Sequence, residues 1–142
     1  MRKIATIILL LTSFIANAQE WQTDFETAKT NSQEENKNIV LVFSGSDWCA
    51  PCIKLENGIW QSDEFKTYAQ DNFILLKADF PRKKVNRLSE EQQEKNNQLA
   101  EKYNLHGYFP YVVVLNSDGE VLGTTGYNNT TPAEYIKLLS SF

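Results

Sequence analysis

The chain of 142 residues has two cysteines, and both lie in the run Trp48-Cys49-Ala50-Pro51-Cys52. A disulfide between them would close a loop of only four residues, so it would constrain the unfolded chain very little. Two thiols at this spacing suit thiol–disulfide exchange, because one attacks a disulfide as a thiolate and the other releases the mixed disulfide. The spacing therefore predicts a redox-active dithiol.

The elements around the motif predict where each thiol lies. The apolar, β-branched run 39–43 is typical of a buried strand, and a turn at 44–47 leads from it to the motif. A helix that begins at the motif places Cys49 at its cap, where free N–H groups and the helix dipole favour a thiolate. Cys52 then lies one turn inward, and Pro51 fits a first turn that does not need its N–H. We predict that Cys49 attacks and Cys52 resolves.

Other uses of paired cysteines have little support in the chain. A zinc site normally needs four ligands, and His106 is the one further soft ligand. Attachment of haem would need histidine directly after Cys52, where the chain has Ile53. We therefore predict no metal and no cofactor beyond the dithiol itself, and we expect His106 to be structural or solvated.

Hydrophobic periodicity and capping residues predict the element order α-β-α-β-α-β-β-α. The first helix is predicted over 20–33, and the helix after the motif is expected to be interrupted near 57–58. A second segment of that helix begins after a cap at Ser62, and two further helices follow a capping box spanning 89–92 and a cap at Thr131. The predicted strands are 39–43, 73–78, 111–115 and 120–124. Helical crossovers and a final hairpin indicate one α/β domain with a central mixed sheet flanked by helices.

The first 18 residues are typical of a cleaved secretory signal. A basic start precedes the apolar run 4–15, and small residues follow at Ala16 and Ala18. The run is shorter than the roughly 20 residues that span a bilayer, and a retained anchor is the alternative. We expect a mature domain over 19–142 that is periplasmic, with secretion as the runner-up. Its 12 basic and 18 acidic residues give a net charge of −6, which argues against nucleic acid as a partner.

The run Trp48-Cys49-Ala50-Pro51-Cys52 resembles the thioredoxin Trp-Cys-Gly-Pro-Cys signature, with alanine in place of glycine. Phe109-Pro110, just before a predicted strand, matches the cis-proline position of that family, and Gly126 matches a glycine beside the active site. Ser46-Asp47 directly precedes this run, and the resulting Ser-Asp-Trp-Cys sequence resembles that of a branch of exported thioredoxin-like thiol–disulfide oxidoreductases. The resemblance implies that Pro110 is cis and that Phe109 presents backbone groups opposite Cys49. It also implies that the substrate chain contacts five residues: Trp48, Ala50, Pro51, Phe109 and Pro110.

The chain departs from the thioredoxin pattern in two places. Phe43 stands where thioredoxins have a buried aspartate that helps to move the proton of the resolving thiol, and Asp47 is expected on the surface. Lys77 matches a lysine near that acid, which makes it a candidate for tuning Cys52. The second departure is the basic-then-acidic segment 80–98, which we interpret as a solvated loop and helix extension, with partner choice as the alternative.

The predicted function is thiol–disulfide exchange with exported proteins that contain disulfides or cysteines. Ala50-Pro51 places no positive charge beside Cys49, which favours the reducing or isomerising direction. A reductant in an oxidising compartment must be recharged, so a membrane electron donor is an expected partner. The chain is expected to be a monomer. The alternative is a non-catalytic binding module on the same fold.

Overall fold

The computed structural model describes residues 20–142, so the predicted signal over 1–18 lies outside the described residues. The strands are β1 (Trp21–Gln22), β2 (Asn38–Ser44), β3 (Phe73–Asp79), β4 (Tyr111–Leu115) and β5 (Val121–Thr125). The helices are α1 (Phe25–Glu35), α2 (Ala50–Leu55), α3 (Asp63–Asn72), α4 (Glu90–Tyr103) and α5 (Pro132–Ser140). Within this part of the chain, no helix combines the length and the apolar character needed to cross a bilayer.

The five strands form one mixed sheet in the order β1-β3-β2-β4-β5. The first three strands are parallel, whereas β4 runs antiparallel to β2, and β5 runs antiparallel to β4. This arrangement confirms the predicted α/β fold with a central mixed sheet. In the β2–β4 ladder Phe43 lies opposite Tyr111. The end of β2, which leads to the cysteine motif, therefore lies beside the start of β4, which follows Phe109-Pro110.

Two apolar cores cover the two faces of the sheet. Alternate residues of β2 belong to different cores, with Val40 and Val42 on the face covered by α2, α3 and α5. Phe43 lies on the opposite face, which is covered by α1 and α4. Side chains of successive strand residues point to opposite faces, so a strand buried on both sides must be apolar throughout, as β2 is.

The prediction for the N-terminal helix was wrong at its start. Residues 20–33 were expected to be helical, but Trp21–Gln22 forms a short edge strand parallel to β3. The helix begins at Phe25, because the carboxylate of Asp24 accepts the N–H of Thr27 and caps the first turn. A two-residue strand is fixed by its pairing with a distant strand, and that pairing leaves no periodic signal in the local sequence.

Ser62, Ser89 and Thr131 cap helices as predicted, but one of the two predicted capping boxes does not form. Ser89 caps α4 by accepting the N–H of Gln92, but the Gln92 side chain does not return to complete a capping box. It donates instead to the carbonyl of Thr23 and to the side chain of Asn96, which is buried. The capping box at Thr131 is complete. The expected interruption after the motif is a π-helical turn over Glu56–Trp60, which continues directly from α2.

Candidate active site

The turn between β2 and α2 fixes both cysteines through backbone hydrogen bonds. The Gly45 carbonyl accepts the N–H groups of Trp48 and Cys49 at 3.3 and 2.9 Å. Cys49 has extended backbone angles and is the N-cap of α2, and its Sγ accepts the N–H of Cys52 at 3.3 Å. The Sγ of Cys52 in turn accepts the N–H of Gly45 at 3.4 Å. The two sulfurs are joined as a disulfide at the predicted position, the start of the helix.

Exposure alone does not distinguish the two cysteines in this oxidised form. Cys49 is 5% exposed and Cys52 is 3% exposed, so both sulfurs are almost covered. Their surroundings differ. Cys49 directly follows Trp48, whose ring packs against Phe109, whereas Cys52 borders a pocket that is also lined by Glu56 and Lys77. Ala50 and Pro51, which form the first turn of α2, are both exposed beside the disulfide.

Trp48 connects the motif to two other parts of the chain. Its indole N–H donates to the carbonyl of Phe80 at 2.7 Å, and its ring lies edge-on to the ring of Phe109, with centroids 5.4 Å apart. The guanidinium of Arg82 lies 3.7 Å from the centre of the indole. This packing depends on Gly45, because a Cβ at that position would lie 2.3 Å from the Trp48 ring. The structure therefore brings Trp48 and Phe109 together, as the resemblance implied.

The segment 104–110, which we call the cis-proline loop, contacts Trp48 through the ring of Phe109. The Phe109–Pro110 bond is cis, as the resemblance implied. Asn104, which is 5% exposed, fixes this loop by donating to the carbonyl of Tyr108 and accepting its N–H, both at 2.9 Å. Between residues 20 and 142, no hydrogen bond engages the backbone N–H or carbonyl of Phe109. These two groups are available to pair with an extended peptide.

A basic segment also contacts Trp48, and its Phe80 ring packs against the ring of Phe109, with centroids 5.5 Å apart. Residues 80–88, which we call the basic loop, contain a short 3₁₀ turn and are held by Asp47. The Asp47 carboxylate accepts the N–H groups of Arg82 and Lys83 at 2.9 and 3.0 Å, and the side-chain amide of Asn86 at 3.0 Å. These hydrogen bonds, first that of Arg82, hold the pKa of Asp47 below its usual range. Asp47 is partly exposed, as expected, but its anchoring role was not predicted.

A pocket of about 290 Å³ lies beside Cys52. Glu56 and Lys77 line it and form an ion pair at 3.1 Å, and Lys77 also lies over the Trp21 ring. The other lining residues are Ser44, Ser46, Ile53 and Asn57. Lys77 therefore lies near Cys52 as the resemblance implied, but its acidic partner comes from the π-helical turn rather than from β2. Glu56 was not among the predicted site residues, although it follows Cys52 by four residues and so shares its helix face.

Phe43 does not border this pocket. It is fully buried on the face of the sheet covered by α1 and α4, where its ring stacks on Tyr111. The β2 residue that lines the pocket is Ser44, one position further along. The position that matches the buried aspartate of thioredoxins is therefore one whose side chain lies on the face of the sheet away from this pocket.

His106 is exposed in the cis-proline loop, with its ring 5.5 Å from that of Tyr108. Among residues 20–142, no three His, Cys, Asp or Glu side chains form a group that could hold a metal ion.

A model of a family described as thioredoxin-like matches residues 20–117. The chain belongs to the thioredoxin-like family. The disulfide bond reductase DsbH of Chlamydia pneumoniae is 37% identical over 126 residues, which cover 89% of this chain and 73% of that protein. Membership of this family together with the Cys49–Cys52 pair makes the protein a thiol–disulfide oxidoreductase.

Three further proteins are similar to this chain over much of its length. The thioredoxin-related protein DsbJ of Chlamydia pneumoniae is 23% identical, and the match covers 92% of this chain but 39% of DsbJ. A solved structure titled DsbH Oxidoreductase superposes with a TM-score of 0.81 at 32% identity, covering 97% of this chain and 93% of that chain. A thioredoxin from Thermus thermophilus, 16% identical with a TM-score of 0.63 over 87% of this chain and 86% of that chain, shares the fold.

Proposed function

We propose that the Cys49–Cys52 dithiol reduces or isomerises disulfides of exported proteins in the periplasm. The observation that carries this proposal is the position of Cys49. Its sulfur caps a helix and accepts the N–H of Cys52 beside an exposed first turn. The adjacent Trp48 contacts Phe109, whose backbone N–H and carbonyl have no hydrogen-bond partner among residues 20–142. In the reduced protein the same N–H groups and the helix dipole would favour the Cys49 thiolate.

The reaction proceeds in two exchanges. The Cys49 thiolate attacks one sulfur of a substrate disulfide, forming a mixed disulfide and releasing the other substrate sulfur as a thiolate, which takes up a proton. Cys52 loses its proton and attacks the Cys49 sulfur, so that the second substrate thiolate leaves and the Cys49–Cys52 disulfide forms. Two electrons pass from the protein to the substrate, and a dithiol donor must return them.

Substrate contacts follow from the surface around the disulfide. The free N–H and carbonyl of Phe109 pair with an extended substrate chain, which places its disulfide over the first turn of α2. Ala50 and Pro51 are exposed there, and Trp48 with Phe109 supplies an aromatic edge. Pro110, in cis, directs the backbone of Phe109 toward this surface.

The direction of exchange depends on how strongly the surroundings stabilise the reduced form. Ala50-Pro51 adds no positive charge beside Cys49, so we expect a potential near the value of about −270 mV for thioredoxin rather than about −120 mV for a strong oxidant. The relative named as a disulfide bond reductase supports the same direction. Equilibration with dithiothreitol or glutathione buffers measures this potential, and a value near −120 mV would contradict the reducing direction. A membrane-embedded dithiol donor would keep the protein reduced.

Proton transfer from Cys52 has a candidate acceptor in Glu56. The carboxylate lies in the pocket that Cys52 borders, and Lys77 holds it there at 3.1 Å. We expect Glu56→Gln to slow the resolving step about 10-fold near pH 7 and to shift its pH profile to higher pH. Asn57→Ala, in the same pocket, is the control. An unchanged pH profile for Glu56→Gln would exclude this role.

The function is tested by reduction of insulin with dithiothreitol as the donor. Cys49→Ser should lose the catalysed rate, whereas Cys52→Ser should accumulate a mixed disulfide that mass spectrometry detects on Cys49. Equal insulin turnover by Cys49→Ser and the wild type would refute the catalytic proposal. Trapping through Cys52 in the Cys49→Ser variant, with no trapping in Cys52→Ser, would reverse the two roles.

A further inference from the structure

The basic loop, residues 80–88, is positively charged on an otherwise acidic domain. It carries four of the 12 basic residues of 19–142 and none of the 18 acidic ones, which leaves 8 basic residues against 18 acidic ones elsewhere. The four are all exposed: Arg82, Lys83, Lys84 and Arg87. None of them forms an ion pair within the part of the chain that the structure describes.

The loop is attached to the two residues that immediately precede Cys49. The carboxylate of Asp47 binds its backbone at Arg82 and Lys83, and the indole of Trp48 binds the Phe80 carbonyl. The guanidinium of Arg82 stacks on the Trp48 ring. The positive charges therefore lie on the surface from which a substrate would approach the disulfide.

Nearby acids offset only part of the charge of the loop. The Asp47 carboxylate, which binds the loop backbone and Asn86, offsets one of the four positive charges. Asp79, at the end of β3, accepts the N–H and hydroxyl of Ser46, and Glu91 pairs with Lys95. The side-chain charges of the loop face solvent, which is the arrangement that steers an oppositely charged partner.

We propose that the basic loop binds an acidic segment that flanks the reactive disulfide of a polypeptide substrate. The inference rests on the proposed function, and it names the substrate class of the same site. An anionic membrane surface is negatively charged like an acidic segment, but it would repel the 18 acidic residues that lie outside the basic loop. An acidic polypeptide segment can contact the loop alone, because its own charges extend over only a few residues.

The test uses three peptides with the same intramolecular disulfide, flanked by Glu, by Gln or by Lys. Single-turnover reduction by the dithiol form of the protein is followed at 20 and 500 mM NaCl. The loop variant is Lys83→Gln/Lys84→Gln/Arg87→Gln, which leaves Arg82 and its contact with Trp48 in place. The control is Lys66→Gln/Lys102→Gln/Lys137→Gln, which removes the same charge from α3, the far end of α4, and α5.

We expect the wild type and the control variant to reduce the Glu peptide about 10-fold faster than the Lys peptide at 20 mM NaCl. The ratio should fall below about 2 in the loop variant, and in all three proteins at 500 mM NaCl, because salt screens exposed charges. Failure to reduce any peptide would contradict the proposed function. Equal rates with all peptides, or a ratio unchanged in the loop variant, would overturn the docking proposal alone.

A vesicle experiment distinguishes binding of an acidic polypeptide segment from binding of an anionic membrane. Sedimentation is measured with vesicles of pure phosphatidylcholine and with vesicles containing phosphatidylglycerol. We expect no binding to either. Binding to the anionic vesicles that the loop variant loses would assign the basic loop to a membrane surface and overturn the proposal.

Discussion

Two loops flank Trp48, and each is fixed by one polar side chain of a different kind. The cis-proline loop is held by the amide of Asn104, which is buried and uncharged. The basic loop is held by the carboxylate of Asp47, which is ionised and partly exposed. Both anchors bind backbone groups, so each fixes the path of a loop rather than the position of a single side chain.

The chemistry of the two anchors suits the two tasks. A buried amide does not titrate, and its removal leaves polar backbone groups without partners, so this anchor of the cis-proline loop does not change with pH. An exposed carboxylate is screened by water and loses its charge in acid, so the basic loop is held less firmly. The backbone that would pair with substrate is thus more rigidly fixed than the charges that would attract it.

The largest effect is expected at Asn104. Asn104→Ala leaves the N–H and the carbonyl of Tyr108 unpaired, and each unsatisfied buried polar group costs roughly 1–3 kcal/mol. Because Tyr108 is itself partly exposed, we expect the free energy of unfolding to fall by about 2–3 kcal/mol, together with a clear loss of insulin reduction. Urea denaturation and the insulin assay measure the two effects.

Asn97→Ala is the matched control for this prediction. Asn97 lies on α4 and accepts one hydrogen bond from the side chain of Gln93, one turn earlier on the same helix. We expect its loss to change stability by less than about 0.5 kcal/mol. Equal urea midpoints for Asn104→Ala and Asn97→Ala would show that Asn104 does not anchor the cis-proline loop.

The features predicted correctly depend on local sequence. The cap at Cys49 could be predicted because capping involves residues three apart, and the buried strands β2, β3 and β4 could be predicted because their apolar runs are continuous. The partly exposed strand β5 was indicated by the hairpin turn before it. The neighbourhood of Trp48 and Phe109 came from the resemblance, which carries information about distant pairs. Their contact joins residues 61 positions apart, which no local pattern specifies.

The roles of Asp47, Asn104 and Glu56 were not predicted, and the reason differs for each residue. Asp47 binds residues 35 and 36 positions away, in a loop with no regular pattern. Asn104 binds a neighbour only four residues away, but its burial depends on how α4 packs on the sheet. The thioredoxin resemblance directed attention to Phe43 on β2, whereas strand alternation turns Phe43 to the other face and leaves Glu56 as the carboxylate of the pocket.

A smaller effect is expected at Gly45, whose substitution disturbs Trp48 and the loop bound to its indole. Gly45→Ala places a Cβ 2.3 Å from the Trp48 ring, so the indole must move and weaken its hydrogen bond to Phe80. We expect a loss of about 1–3 kcal/mol in stability, the usual cost of overpacking. We also expect faster proteolysis within residues 80–88, measured by mass spectrometry of the early fragments.

Gly58→Ala provides the control, because a Cβ there meets no atom within 4 Å. Alanine is favoured over glycine in helical segments, so stability should be unchanged or should increase by up to about 1 kcal/mol. Proteolysis within residues 80–88 that is no faster in Gly45→Ala than in Gly58→Ala would contradict the anchoring of the basic loop by Trp48.

The smallest effect is expected at Asp47, and it should depend on pH. The pKa of Asp47 in the folded protein lies below the ordinary value of 3.8, because backbone N–H groups bind the carboxylate. The ionised anchor therefore contributes its full stability above about pH 4, and the contribution is lost as the pH falls through the folded pKa. We expect the difference in urea midpoint between the wild type and Asp47→Ala to shrink between pH 5 and pH 3. The difference between the wild type and Asn104→Ala should stay constant over the same range, since an amide does not titrate. If both differences respond equally to acid, the charge of Asp47 does not distinguish how the two loops are held.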